Sequence, residues 1–427
     1  MVVDLTSIHR EVSGEVLASL IRLLGDFDRA EEALQDAWIE ALRHWPTTGT
    51  PTRPGGWLYQ TARRKAVDKI RREQHRDAKH EAAAYLDTVA RDAPLVRDAS
   101  VVGGLGDMAD DGPVADDQLR LIFTCCHPAL AQEAQIALTL RTLGGLSTTE
   151  IAHAFLVPEA TMAQRLVRAK KKVRLAAIPF RVPAADDLPA RVDAVLAVVY
   201  VIFTEGHTAT TGDALVRHDL CADAIRLARV LADLLPDEPE VSGLLALMLL
   251  HDARRTTRVG DDGALVLLGE QDRERWDRVM IGEGTARLER AMRRGRPGPY
   301  QLQAAIAAVH TEAPSLETTD WPQIVALYRE LARVAPSPIV ELNRAVAIGM
   351  ADGWPAALDR VDALADELPA FATWHRFHAV RAEMLERCGR YAEAIVGYVD
   401  ALALVESTVE RDYLTAKLAA CRARPAG

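Results

Sequence analysis

Apolar residues recur at steps of three and four along almost the whole chain. No run alternates apolar with polar as a half-buried strand would. The pattern predicts an all-α protein. It opens with an amphipathic helix over residues 8–24, ended by Gly25. A second follows over 28–45, where Ala30, Ala33, Leu34, Ala37, Trp38, Ala41, Leu42 and Trp45 keep helical period. On another face of that helix Asp28, Glu32, Asp36 and Glu40 fall four apart, with Glu31 and Gln35 beside them. Like charges at that spacing repel by about 0.2–0.5 kcal/mol per pair. A basic partner surface would relieve that cost; a plain solvated face would tolerate it.

Residues 46–56, rich in Thr, Pro and Gly, read as a loop. The helix beyond it carries Trp57, Tyr59 and the basic residues Arg63, Arg64, Lys65, Lys69, Arg71, Arg72 and Arg76, beside only Asp68 and Glu73. Flat rings next to a cationic helix suit an unstacked single strand, with faces for bases and charge for phosphates. Trp57, next to Leu58, also suits a core position. Residues 77–115 have Gly, Asp and Pro in quantity and little period, the mark of a flexible acidic tether. Residues 116–145 supply two more helices. Cys125, Cys126 and His127 are adjacent there. Neighbouring side chains on a helix point apart instead of converging on a metal, so they read as core.

Residues 146–174 read as two helices and a tight turn. Ser147 and Glu150 form a capping-box start. Ile151, Ala152 and Phe155 give the first helix an inward face, and Pro158 suits the first position of the second. In the second helix Met162, Leu166, Ala169 and Val173 make one apolar stripe. Arg165, Arg168, Lys170, Lys171, Lys172 and Arg174 supply six positive charges with no acid among them. Such a pair, with one helix free to enter a major groove and a cationic tail for phosphates, is a helix-turn-helix. Taken alone it is equally an amphipathic hairpin with a solvated basic face.

After a linker at 179–189, helical pattern continues over 190–203, 213–235, 240–255, 272–294, 300–312, 321–334, 339–350 and 355–368. In the last stretch, 379–404, Leu385, Gly389, Tyr391, Ala394, Tyr398 and Ala401 approach the tetratricopeptide pattern of small and aromatic residues at a helix crossing, and 338–364 is a looser copy. Stacked helix pairs make a solenoid, which commonly binds a peptide or protein. His251, Asp252, Arg254 and Arg255 end an apolar helix, with Glu270, Asp272, Arg273 and Trp276 shortly after. No nucleophile, metal spacing or glycine-rich phosphate loop accompanies them, so they read as a buried polar network or as ion pairs joining solenoid layers and not as an active site. No catalytic residue, metal or cofactor is expected.

Composition sharpens this picture. The chain has 427 residues, is 49% hydrophobic and 26% charged, and has length for two to four globular domains. No apolar run approaches the ~18 residues a membrane span needs, the first residues carry early acids and do not form a secretory signal, and five cysteines make no disulfide framework. A cytoplasmic protein with no membrane partner is expected. The net charge of −10 argues against indiscriminate nucleic-acid binding, yet basic clusters concentrate in the first 180 residues.

Those residues resemble an extracytoplasmic-function sigma factor, the two-domain subclass of the sigma-70 family. AEEALQDAW at 30–38 is similar to the segment with which sigma domain two grips RNA polymerase. WLYQTARRKAVDKIRR at 57–72 is similar to the helix that melts and reads the −10 element, and 146–174 to the domain-four helix-turn-helix that reads the −35 element. The resemblance implies sigma domain two at 1–80, a flexible linker at 81–115, sigma domain four at 116–180 and, at 190–427, the tetratricopeptide-like regulatory extension of one sigma subfamily. It implies core RNA polymerase and promoter DNA as partners. Asp28, Glu31, Glu32, Gln35 and Asp36 would bind polymerase. Trp57, Tyr59, Arg63, Arg64, Lys65, Lys69, Arg71 and Arg72 would hold the −10 strand. At the −35 groove Thr161 and Gln164 would read bases, while Arg165, Arg168, Lys170, Lys171, Lys172 and Arg174 would dock and contact phosphates. Arg64 stands where Asn is frequent, and Leu156 and Ala160 where Gly is usual, so base preference does not carry over. A DNA-binding regulator with a sigma-like fold, sensing a ligand or protein without engaging polymerase, is the alternative.

Overall fold

The computed structural model describes residues 5–89, 114–155, 157–207, 218–260, 266–367, 373–405 and 408–424, and among them there is no β-strand. The helices are α1 (Leu5–Leu24), α2 (Phe27–Thr48), α3 (Pro54–Val89), α4 (Val114–Cys125), α5 (Gln132–Thr142), α6 (Thr148–Ala154), α7 (Glu159–Leu175), α8 (Leu188–His207), α9 (His218–Leu234), α10 (Pro239–Asp252), α11 (Arg278–Met292) and α12 (Pro299–Glu312). They continue with α13 (Trp321–Val334), α14 (Pro338–Asp352), α15 (Trp354–Glu367), α16 (His375–Arg387), α17 (Tyr391–Leu404) and α18 (Thr408–Arg422). The chain divides into two compact units, residues 1–153 with 157–195, and residues 154–156 with 196–427.

In the first unit α1, α2 and α3 bury facing stripes. These include Val16, Leu17, Leu20 and Ile21 from α1, and Leu58, Ala62 and Ala66 from α3. The stripe of α2 holds Ala30, Ala33, Leu34, Ala37, Trp38, Ala41 and Trp45. Leu42 departs from expectation, being 56% exposed, because the buried stripe of α2 is narrower than the apolar one. The helix also runs past Trp45 into the expected loop, through Pro46 to Thr48, where the hydroxyls of Thr47 and Thr48 each donate to the His44 carbonyl at 2.9 Å. α4 packs along α1, and α5 against α7. The two expected sigma modules thus share one unit. α3 extends to Val89, beyond the expected domain end at 80, which suits the helix-forming EAAA at 81–84. Residues 90–113 of the expected linker lie outside the described residues.

In the second unit α10 is apolar all round and sits where such a helix must, at the centre. Val241, Leu244, Leu245, Ala246, Leu247, Met248, Leu249 and Leu250 are all buried, and α9, α11 and α12 pack around it. The expected single helix at 272–294 is broken: a short 3-10 turn at Arg273–Arg275 precedes Asp277, whose side chain caps α11 by accepting from the backbone N–H groups of Val279 and Met280. From α12 onward consecutive helices pack in order, α12 on α13, α13 on α14 and α14 on α15, then α16 on α17 and α17 on α18. The α16–α17 crossing uses the residues the repeat pattern singled out, with Leu385, Ala394, Tyr398 and Ala401 almost fully buried. A Cβ at Gly397 would stand 3.0 Å from the Ala382 Cβ, so the two helices approach as closely as that glycine permits. α18, not anticipated from the sequence, closes this cluster with Leu414, Leu418 and Cys421.

Candidate polymerase and nucleic-acid interface

The acid stripe of α2 follows from its buried stripe. With the alanines and tryptophans turned inward, Asp28, Glu32 and Gln35 are exposed and Glu31 and Asp36 half-buried. Most of these acids have cations of the same chain beside them. Lys65 donates to Glu40 at 2.6 Å and Lys69 pairs with Glu32, both from α3. Lys170, from α7, reaches Asp28 at 3.0 Å and Glu31 at 2.8 Å. Burial opposes the Lys170 charge, but Glu31 and Asp28 outweigh it, and the ammonium titrates above the ordinary lysine range. The repulsion along the stripe is therefore relieved within the molecule.

On α3 the inward positions are Leu58, Ala62 and Ala66. Trp57 is half-buried with its ring centroid 5.4 Å from that of Trp45, and Tyr59 and Arg63 are also half-buried. Arg64, Arg71 and Arg72 are exposed. Arg63, Arg64, Arg71 and Arg72 have no acidic partner among the described residues, whereas Lys65 and Lys69 lean back on α2. Of the expected −10 set, the arginines and Tyr59 keep the open side of the helix.

The helix-turn-helix forms as its local signals dictate. Ser147 Oγ accepts from the Glu150 N–H at 3.1 Å, and Glu150 Oε2 accepts from the Ser147 N–H at 2.7 Å, both halves of the capping box. Burial opposes ionisation of Glu150, but bonds from Ser147 and Arg10 prevail and hold its carboxyl below the usual range. Ile151 and Ala152 are buried, while Phe155 lies in the turn beyond the helix, half-buried. Pro158 is the N-cap and not the first helical residue; its carbonyl accepts from Thr161 and Met162. Met162, Leu166, Ala169 and Val173 are the buried face of α7. Thr161, Gln164, Arg168, Lys171, Lys172 and Arg174 are exposed together on the remaining surface. Arg165 stands 3.8 Å from Glu133. Lys170 alone of the set turns to α2.

Cys125 and Cys126 are buried beside Thr142 and Thr139, at 3.3 and 3.5 Å, and burial raises both thiols, Cys126 to about 11. They are core residues. In the second unit Arg254 shares a 2.9 Å hydrogen bond with His251. Arg255 pairs with Asp252 at 2.8 Å, and Arg273 donates to the carbonyls of His310 and Ala313 at 2.6 Å each. Arg254 and Arg273 flank Trp276, 5.9 and 4.9 Å from its ring. Burial, reinforced by the neighbouring arginines, lowers His207 to about 3 and His310 to about 4, and His251 well below the imidazole range. Of the polar network expected, His251, Asp252, Arg254, Arg255, Arg273 and Trp276 come together, joined by His207 and His310, whereas Glu270 and Asp272 are exposed, Asp272 capping the 3-10 turn; no group of acids, histidines and cysteines among the described residues is placed to hold a metal. No helix among them is long and apolar enough to cross a membrane.

Comparison with known proteins agrees with this layout. Residues 8–76 match Sigma-70 region 2 and residues 120–173 match Sigma-70 region 4. Residues 191–292 match a family of unknown function, DUF6596. An uncharacterized protein of Rhizobium meliloti is 43% identical over 412 residues, covering 96% of this chain and 94% of its own length. The ECF RNA polymerase sigma factor SigK of Mycobacterium ulcerans is 25% identical over 166 residues, covering 37% of this chain and 78% of its own.

Proposed function

The chain belongs to the sigma-70 family, whose members are transcription factors and not enzymes, and from that premise we propose that it directs promoter-specific initiation under the control of its own helical extension. The observation that carries the reading is the order of parts. A region-2 match containing the cationic α3 precedes a region-4 match containing the cationic α7, in a chain whose net charge is −10. Two cationic helices in a chain that is net acidic suit two separate DNA contacts and not general adhesion to nucleic acid.

In this reading Asp28, Glu31, Glu32, Gln35 and Asp36 dock on a basic surface of core RNA polymerase. Tyr59, Trp57 and the basic residues of α3 hold the opened −10 strand by stacking and phosphate contact. Thr161 and Gln164 read the −35 major groove while Arg165, Arg168, Lys170, Lys171, Lys172 and Arg174 grip its backbone. The polymerase performs the bond chemistry. The extension takes the regulatory part that a separate protein would otherwise play, through a protein or peptide partner of its stacked helices.

The test is reconstitution. The purified chain should bind core polymerase and direct transcripts from a defined set of promoters in vitro. Silence on a whole-genome promoter library would overturn the proposal. One observation favours the second reading, a DNA-binding regulator that never engages polymerase: Asp28 and Glu31 are already paired with Lys170. Reversing Glu32 and Asp36 to lysine separates the two, abolishing polymerase binding under the first and changing nothing under the second.

A further inference from the structure

Three elements of the second unit bring hydrogen-bond donors to one place. Arg254 lies just past the end of α10, Arg273 opens the 3-10 turn, and His310 stands in the last turn of α12. Arg254 donates to His251 at 2.9 Å and makes no ion pair among the described residues. Burial, then Arg258 and Arg273, lowers it to about 10. Arg273 is 9% exposed. Its Nη1 donates to the His310 and Ala313 carbonyls, while its Nη2 is buried and has no partner among the described residues. His310 Nδ1 is likewise buried and without a partner among them. Burial, with Arg254 and Arg273 close by, keeps that ring neutral down to about pH 4.

A purely structural role covers only part of this. Arg273 Nη1 satisfies carbonyls at the end of α12, as a cation at a helix C-terminus does, and both arginines lie against Trp276. Those contacts use neither Arg273 Nη2 nor His310 Nδ1. Buried polar atoms rarely go unpaired, and here two do so in adjoining residues. Acids do not fill the gap among the described residues. Asp252 is paired with Arg255 at 2.8 Å, and Glu317, whose charge reaches Arg273, is exposed. Arg254, His251 and His310 are half-buried, so the cluster lies beneath the surface without being sealed from it.

The donor set selects a class of ligand. Two guanidinium groups call for an oxyanion. A phosphate monoester carries close to two negative charges and has an oxygen for each of three donors, where a carboxylate has only two. Donors below the surface are reached by a terminal phosphate and not by the diester of a nucleic-acid backbone. We propose that the second unit binds the phosphate group of a small phosphomonoester, held by Arg254, by Nη2 of Arg273 and by an Nδ1–H of neutral His310. The site lies wholly within the second unit and does not rest on the sigma-factor reading.

The experiment is titration calorimetry of the full-length protein at pH 7 and constant ionic strength, with inorganic phosphate as the probe. Phosphate should bind saturably, one per chain. Arg254→Gln and His310→Phe should each weaken it about tenfold or more, the usual loss when a hydrogen bond to a charged group is removed. His310→Phe keeps a ring against Trp321, so it decides alone should Arg254→Gln fail to fold. Acetate and dimethyl phosphate should bind more weakly than phosphate. On heating, phosphate should raise the transition of the second unit and leave that of the first unmoved. Absence of saturable binding overturns the site. So does an affinity unchanged in either folded variant, or a rise confined to the first unit, which would put the anion on the exposed cations of α3 and α7. Acetate or dimethyl phosphate binding as tightly as phosphate overturns the monoester assignment.

Discussion

Trp57 meets Trp45 edge-on, with ring centroids 5.4 Å apart and planes at 63°. Trp45 in turn meets Trp38 at 5.7 Å, so three tryptophans form a wedge between α2 and α3. The ring that would face a flipped base therefore also holds two helices together. A fully buried Trp→Ala change costs about 3–5 kcal/mol; for half-buried Trp57 we expect about 2 kcal/mol, part of it the aromatic pair. Trp57→Phe should lose less than half of that. Urea denaturation midpoints check this, and an unchanged midpoint for Trp57→Ala would assign the ring to DNA alone.

The division of α3 into arginines without an acidic partner and lysines paired to α2 predicts unequal electrostatics. Single-strand binding weakens with salt by about 0.7 in log–log slope per phosphate neutralised. Replacing exposed Arg71 and Arg72 by alanine should flatten the slope on a −10 single strand by about 1.4. Replacing Lys65 and Lys69 should flatten it less, because Glu40 and Glu32 already hold their charges. Equal losses from the two pairs would mean that the lysines leave α2 when DNA binds.

The second unit should be acid-sensitive. His207, His251 and His310 stay neutral in the fold to values far below 6.5, the cause being burial first and neighbouring arginines second. In the unfolded chain they take a proton near pH 6.5. Between those limits the unfolded state binds more protons, so stability falls as pH drops. A histidine kept fully neutral costs about 2 kcal/mol at pH 5 relative to high pH. The melting temperature of the second unit should therefore fall between pH 7 and 5, and His251→Gln should blunt the fall. A pH-independent melt would place the imidazoles in water.

Much of this was legible locally. The capping box at Ser147 and Glu150, the buried stripe Met162–Leu166–Ala169–Val173 and the small-aromatic crossing at Ala394, Tyr398 and Ala401 all formed as written, because each is set within one or two helical turns. The break before α11 was legible too, since Asp277 is a good N-cap, but the apolar period on either side overrode it. What the pattern could not supply were pairings between distant residues. Lys170 and Glu31 are 139 positions apart, and nothing in a helical period says where a surface lysine will point. Gly14 carried a faint signal, an unexplained glycine inside an amphipathic helix, which marks either weakness or close approach; it is close approach, since a Cβ there would stand 3.2 Å from the Leu143 Cα.

The repeat-like crossing makes its own prediction. Tyr398 is 1% exposed, and its hydroxyl donates to Glu386 Oε2 at 2.8 Å. Hydrogen bonds to a charged acceptor contribute about 1.5–3 kcal/mol. Tyr398→Phe should destabilise the second unit by roughly that amount while leaving the first unit's melting unchanged. Calorimetry that resolves two transitions checks it, and a shift in both would mean that the units unfold as one.

Control by the extension can be tested by removing it, but the position of the cut matters. Residues 184–195 cluster with the first unit, where the Arg191 guanidinium donates to the Phe123 carbonyl and lies 5.9 Å from its ring. A chain ended after Pro183 loses that tie; one ended after Val195 keeps it. If the extension governs the sigma modules, both truncations should change promoter-specific transcription sharply and in the same direction. Loss of Arg191 should appear separately, as a lower melting temperature of the shorter form and of full-length Arg191→Ala. Transcription equal to full length from both truncated chains would mean that residues 196–427 serve something other than control. A change confined to the shorter form would trace the effect to Arg191 and α4, not to the stacked helices beyond.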